Sequence, residues 1–358
     1  METRHGLTVI APKSEKSLSH GHRKKVRWIK FERTFRLARR IWNWKYYLVQ
    51  DYFRFLRIKA QFRMSNKEDI VIVNGFGSIE YASNFLQSFN SIKVLICRES
   101  PRHFDESDRA NLNRSLIKSM KLFDRYIFVS NKLRIEWCDK IGIERRNTFY
   151  LPNCCEEEVA IQLEKVGRQQ VRMKLNLEKS KFIIVCPGSI EKRKGQDIVI
   201  NHLKEILAIG ANIELMFIGD PSTSYGLDLK NEIDNINCPR ITTLGSSDSI
   251  LEYIYCADLL LFPSRAEALP RTILEAMALN TPIVSSNVDG IPELIEHTKE
   301  GLLFNHDNPG KMVSQIRKVY EDKDYTRELV SFASDKYWRE FARDNHKKRT
   351  KEIIENLV

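Results

Sequence analysis

The chain has 358 residues, 42% of them hydrophobic, enough for two domains of ordinary size with sizeable cores. No apolar run approaches the roughly 20 residues that span a bilayer, and the charged start carries no signal-peptide pattern. The net charge of +11 is local: Arg23 to Arg63 holds 14 Lys and Arg against Glu32 and Asp51, so the rest is close to neutral. Seven cysteines, at 97, 138, 154, 155, 186, 238 and 256, form no Cys-x-x-Cys pair. Scattered and odd in number, they suit a reducing cytoplasm without a disulfide frame or zinc site.

In chain order, short apolar runs predict buried strands at Leu7–Ala11, Val26–Phe31, Ile70–Asn74, Ile92–Cys97 and Tyr126–Val129. Helical stretches lie between them across 33–63, 78–89, 108–122 and 131–141. Thr148-Phe-Tyr-Leu-Pro-Asn153 closes this half, and a polar stretch over 155–180 reads as a connector. The second half repeats the scheme. Strands are expected at Phe182–Cys186, Ile213–Ile218, Ile241–Leu244, Leu259–Phe262, Ile283–Ser285 and Leu302–Phe304. Helices are expected over 195–208, 227–235, 248–256, 271–279, 291–296, 309–321 and 325–356. The alternation implies an α/β fold of two doubly wound, Rossmann-like domains facing a cleft, followed by a long C-terminal helix. The expected boundaries are 1–165, 166–325 and 326–358.

The most informative stretch is Phe262-Pro-Ser-Arg-Ala-Glu-Ala-Leu-Pro-Arg-Thr-Ile-Leu-Glu-Ala-Met-Ala-Leu279. Pro270, with fixed φ and no amide proton, suits the first turn of a helix. Glu267 then lies in the preceding loop, and Glu275 about a turn inside the helix. Free N–H groups at that helix start suit a phosphate, and the two carboxylates suit a polyol. Taken alone, two glutamates at this spacing are equally two solvated side chains.

Other segments share the pattern of a strand running into a glycine. Cys186-Pro-Gly-Ser-Ile-Glu-Lys-Arg-Lys-Gly-Gln-Asp197 ends a strand at Gly188 and opens a helix after Lys194-Gly195. Glycine admits a close phosphate, and lysine offsets its charge. Phe217-Ile-Gly-Asp-Pro221, Thr243-Leu-Gly245 and Asp289-Gly-Ile-Pro-Glu293, followed by Gly301-Leu-Leu, complete the set. Each alone is an ordinary strand-to-loop turn, and Glu293 reads as structural.

Together and in this order, these segments resemble the retaining nucleotide-sugar glycosyltransferases of family 4, glycosyl transferases group 1, with the GT-B fold. Phe128-Val-Ser130 and Tyr150-Leu-Pro-Asn153 resemble the end of that family's first domain. The resemblance implies transfer of a sugar from a nucleotide-sugar to a glycan or lipid-linked acceptor in cell-surface polysaccharide synthesis. It implies no cofactor and no metal. It assigns Lys194 to the donor diphosphate, Glu267 to hydroxyls of the transferred sugar and Glu275 to the ribose. Gly188, Ser189, Arg193, Gly219, Leu244, Gly245, Ala268, Leu269 and Pro270 would line the donor site. Ser189 stands where the family often has arginine, and Arg193 is a candidate substitute.

The family's first domain usually opens with a strand, a Gly-Gly loop and a helix. Here His5-Gly-Leu-Thr-Val-Ile-Ala-Pro12 matches the second strand, so the first unit of the sheet is expected to be missing. The alternative makes Leu7–Ala11 the first strand itself. On the acceptor side, Glu99 or His103 could touch the acceptor hydroxyl, or belong to a solvated loop. The basic stretch 23–63 carries Trp28, Trp42 and Trp44 and suits the inner face of an anionic membrane, or one solvated helix face. No nucleic-acid module accompanies it, and nucleic acid is not an expected partner. Against the enzyme stands a catalytically impaired remnant acting as a binding protein.

Overall fold

The computed structural model describes residues 7–12, 26–31, 70–76, 79–86, 91–101, 116–221 and 223–357. The helix expected over 33–63, most of the basic stretch 23–63 and His103 lie outside the described residues. The chain divides into two units, one of Met1–Val129, Leu133–Leu151 and Lys351–Val358, the other of Ser130–Lys132 and Pro152–Thr350.

The first unit is built on a parallel sheet of β1 (Leu7–Pro12), β2 (Val26–Phe31), β3 (Ile70–Asn74), β4 (Ile92–Cys97), β5 (Arg125–Phe128) and β6 (Thr148–Tyr150), in the order β2-β1-β3-β4-β5-β6. β1 is paired along both edges, with Val9 opposite Trp28 and Ile72. Helix α1 (Ile79–Leu86) and, from Leu133 onward, α2 (Asn131–Ile141) belong to this half. Ile70, Ile72, Val94, Ile96 and Ile127 pack with Ile353 and Leu357, which arrive from the far end of the chain.

The second unit has its own parallel sheet: β7 (Phe182–Pro187), β8 (Ile213–Ile218), β9 (Ile241–Leu244), β10 (Leu259–Phe262), β11 (Ile283–Ser286) and β12 (Leu302–Phe304). Its order is β12-β11-β10-β7-β8-β9. Every residue of β7 and β10 is buried. Strands covered on both faces read as unbroken apolar runs, which is why their positions are visible in the sequence. The strand order reverses between β7 and β10. In doubly wound sheets, ligands bind at the carboxyl ends of the strands beside such a reversal.

Three expectations change. The connector 155–180 contains two helices, α3 (Glu157–Val166) and α4 (Arg168–Lys174). Two arginines of α4 explain this. The Arg172 Nη2 and Nε donate to the Cys256 carbonyl at 2.7 and 3.0 Å, and Nη2 also meets Asp258 at 2.7 Å. The Arg168 Nε and Nη2 donate to the carbonyls of Tyr255 and Ala257, each at 2.8 Å. These carbonyls end α8 (Ile250–Cys256) and have no intrahelical partner, so cations complete them. The expected helix 195–208 is two pieces, α5 (Gln196–Asn201) and α6 (Leu203–Leu207). The expected helix 325–356 is likewise divided. α12 (Lys323–Lys336) and α13 (Arg343–Leu357) flank a π-helical turn at Tyr337–Phe341, in which Tyr337 and Phe341 are both buried. Their four-residue spacing continues the apolar stripe, so the sequence pattern conceals the extra residue in the turn. The remaining helices are α7 (Ser224–Asn235), α9 (Arg271–Ala278), α10 (Ile291–Leu294) and α11 (Gly310–Glu321).

Candidate functional site

At the carboxyl end of β7 the chain turns through Gly188 and Ser189 and passes a short 3-10 turn at Lys192–Lys194 into α5. Two glycines are dictated by contact. Gly219, after β8, has φ +152°, and a Cβ there would run into the Gly188 carbonyl. Gly195 has φ +71°, and a Cβ would strike the Pro263 carbonyl, at the end of β10. The turn after β7 and the loop after β10 are thus packed backbone to backbone. The Lys194 alkyl chain lies over Gly188, whose added Cβ would stand 3.5 Å from its Cδ and Cε. Gln196 is buried and its Nε2 donates to the Ser189 and Gly188 carbonyls at 3.0 and 3.4 Å, holding those oxygens on the protein side.

Glu267 is where the two strand ends meet chemically. Its Oε1 accepts from Lys194 Nζ at 2.5 Å, Arg193 Nη1 at 2.9 Å and Ser264 Oγ at 3.1 Å. Its amide donates to Asp289 Oδ2 at 3.0 Å. Burial alone would raise the carboxyl's pKa, but Lys194 and Arg193, with the Lys194 and Ser264 hydrogen bonds, outweigh it and hold the group below its ordinary range. Glu267 is therefore an ionised acceptor in a desolvated place.

Arg193 also reaches Glu191 at 2.7 Å and the Ala266 carbonyl at 3.1 Å, so it is a bracket between the two loops. Arg265 pairs with Asp197 through two bonds of 2.7 Å, and its amide donates to the Arg193 carbonyl, also at 2.7 Å. The Ser286 Oγ holds the Ser264 carbonyl at 2.5 Å, and His306 Nε2 lies 3.1 Å from that of Pro263. Ser264, Arg265, Asp197, Asp289 and Gln196 stand inside the motifs, yet the sequence gives no sign that they bond to one another. Ser286 and His306 carry no sequence signal.

Glu275 lies apart from this cluster by its contacts. It faces Arg271 one turn back, at 3.8 Å, and borders a small recess lined by Cys155, Glu156, Ala160 and Leu251. Burial raises its pKa; Arg271 opposes this and Glu156 adds to it. The structure thus joins Lys194, Arg193 and Glu267 directly, with Gly188 beneath Lys194, while Glu275 is paired with Arg271 on α9.

The remaining donor-site residues are structural neighbours. The Gly219 amide donates to the Leu244 carbonyl at 2.9 Å, and a Cβ on Gly245 would stand 2.9 Å from Asp220 Oδ1. The Ala268 carbonyl presses on Gly290, the Leu269 carbonyl accepts from Asn153 Nδ2 at 2.7 Å, and Pro270 is the cap of α9. Glu293 accepts the amides of Asn131 and Lys132 at 2.9 and 2.6 Å, a structural use. In the first unit Glu99 accepts the amides of Phe76 and Arg98 at 3.3 and 3.2 Å, while its carbonyl takes Trp137 Nε1 at 2.9 Å. Among the described residues, no helix is long and apolar enough to cross a membrane.

The chain is similar to HepE of Anabaena, solved with UDP, at a TM-score of 0.74 over 99% of both chains and 16% identity. It is also similar to the N-terminal domain of Candida albicans trehalose-6-phosphate phosphatase, at 0.78 over 100% of this chain and 97% of that one, 14% identical. The two Rossmann-like units, with the C-terminal helices, have the GT-B fold of such neighbours. Residues 167–336 match the model of the glycosyl transferases group 1 family. Sequence relatives include the alpha-galactosylglucosyldiacylglycerol synthase of Streptococcus pneumoniae, 27% identical over 230 residues, 60% of each chain. The capsular polysaccharide biosynthesis glycosyltransferase CapM of Staphylococcus aureus is 23% identical over 166 residues, 46% of this chain and 44% of its own. The match spans less than two thirds of either relative's length.

Proposed function

We propose that this chain is a metal-independent, retaining glycosyltransferase of family 4. It would move a sugar from a nucleoside-diphosphate donor to a glycan or lipid-linked acceptor in polysaccharide or glycolipid synthesis. It would work in the cytoplasm, with residues 23–63 at the inner face of the membrane. The observation that carries the reading is the 2.5 Å pair of Lys194 with Glu267 beside the reversal of the second sheet. A nucleoside diphosphate leaves with growing negative charge, and a fixed ammonium in a desolvated place stabilises that charge best. Glu267, kept ionised by its cations, is an acceptor for sugar hydroxyls, and carboxylate bonds of this kind are stronger than neutral ones. Glu275 would take the ribose hydroxyls.

The relatives support the chemical class: one is named for a glycolipid product and another for a capsular polysaccharide. HepE of Anabaena has also been solved with UDP and glucose. The test is calorimetric titration of the full chain with UDP, GDP and ADP, with and without EDTA, followed by turnover of the matching sugar donors. Binding unaffected by EDTA, with release of the diphosphate, is expected. Binding without turnover would favour the impaired remnant, and no binding at all would end the donor-site reading.

A further inference from the structure

One side chain from the loop after β10 grips the turn after β7 on both sides of Lys194. The Arg265 guanidinium meets Asp197 through parallel Nη1–Oδ1 and Nη2–Oδ2 bonds of 2.7 Å. Its Nη1 also donates to the Lys192 carbonyl at 2.6 Å. Lys192 begins the 3-10 turn that ends at Lys194, and Asp197 stands in the first turn of α5 just beyond it. On its own loop Arg265 stands two positions before Glu267, with Ala266 between them. A two-point guanidinium–carboxylate fork fixes direction as well as distance, which a single ammonium contact does not. His306 holds the Pro263 carbonyl against this junction from the end of β12.

We infer that Arg265 and Asp197 are positioning residues that set the spacing of Lys194 and Glu267, and so fix where the leaving phosphate meets its cation. This rests on the donor-site reading above. Neither residue needs to touch the donor. Misplacing a group by about 1 Å can cost about 10²-fold in rate. A nucleotide held in the ground state by other contacts loses much less, so the effect falls on kcat and not on binding.

The experiment compares the full chain with Arg265→Lys, Arg265→Ala, Asp197→Asn and the double variant Arg265→Ala/Asp197→Asn. Three quantities are read: kcat with UDP-glucose, affinity for UDP, and the acylation rate of Lys194 by mass spectrometry. The exposed Lys179 is the internal reference. Lys194 should acylate about 10-fold faster in each variant, as its pairing with Glu267 loosens, while Lys179 keeps its rate. The kcat should fall by about 10-fold to 100-fold, with UDP affinity held within about threefold. The double variant should lose no more than the worse single one, because both changes break the same contact. An unchanged Lys194 rate in Arg265→Lys and Asp197→Asn would overturn the inference, and so would losses that multiply in the double variant. Wild-type kcat in Arg265→Lys would show that charge alone suffices and would overturn it too. The acylation arm needs no donor, so failure of the wild type to use UDP-glucose would count against the donor-site reading alone.

Discussion

After β10, the Glu267 carboxylate gathers Lys194, Arg193 and Ser264; after β4, the Glu99 carboxylate takes the backbone amides of Phe76 and Arg98. Both acids follow a buried parallel strand, yet these bonds differ in kind. Backbone amides cannot leave without unmaking the turn, so these two bonds tie Phe76 to the end of β4. Side-chain cations can exchange one anion for another, which is what the proposed donor site asks of the Glu267 cluster. An acid at a strand end is therefore better judged by whether its partners can move than by its position.

The comparison can be broken most directly at Lys194. Lys194→Ala should lower turnover by about 10²-fold or more, the scale of one lost oxyanion donor. Unchanged diphosphate release would remove the ammonium from the chemistry. Next is Glu275→Ala, which should weaken UDP binding by about 10-fold to 100-fold, the scale of bonds to a charged group. Glu275 has a second use, because burial raises its pKa in the fold. A carboxyl that protonates more readily folded than unfolded opposes folding above its unfolded pKa. The neutral Glu275→Gln should therefore melt higher than wild type near pH 7 while binding UDP more weakly. A lower Tm would show the charge to be stabilising.

Glu99→Ala should cost about 1–3 kcal/mol in urea unfolding, the penalty for two amides left without an acceptor. Its UDP affinity should not move, and a large loss of affinity would erase the distinction between the two acids. The smallest effect is expected at Glu156→Gln. Glu156 adds to the upward shift of Glu275, so removing its charge should move the acid limb of UDP binding to lower pH. A limb that stays in place, or moves up, would separate the two carboxylates.

Reading strands from the sequence works where burial on both faces turns a strand into an apolar run, as at Phe182–Pro187 and Leu259–Phe262. It fails where charge does structural work. Arg172 is buried, yet in the sequence it is one more basic residue in a polar stretch. The Cys256 carbonyl it completes lies 84 positions away. The same limit applies at the candidate site. Lys194 and Glu267 were marked by their motifs, whereas the Arg265–Asp197 fork spans 68 positions and is set by the order of strands. Local spacing cannot encode a pairing that only the sheet reversal creates. The π-helical turn at Tyr337–Phe341 was hidden for another reason, since its buried aromatics repeat every four residues as in an ordinary helix.

Ile353 and Leu357 complete the hydrophobic core of the first unit, although they are encoded after the whole of the second. During synthesis the first sheet must wait, with part of its apolar face uncovered, until the ribosome has passed the second unit. Nascent-chain folding should therefore finish late in the half that begins first, and clipping a few residues beyond Thr350 should weaken the distant sheet before the neighbouring one.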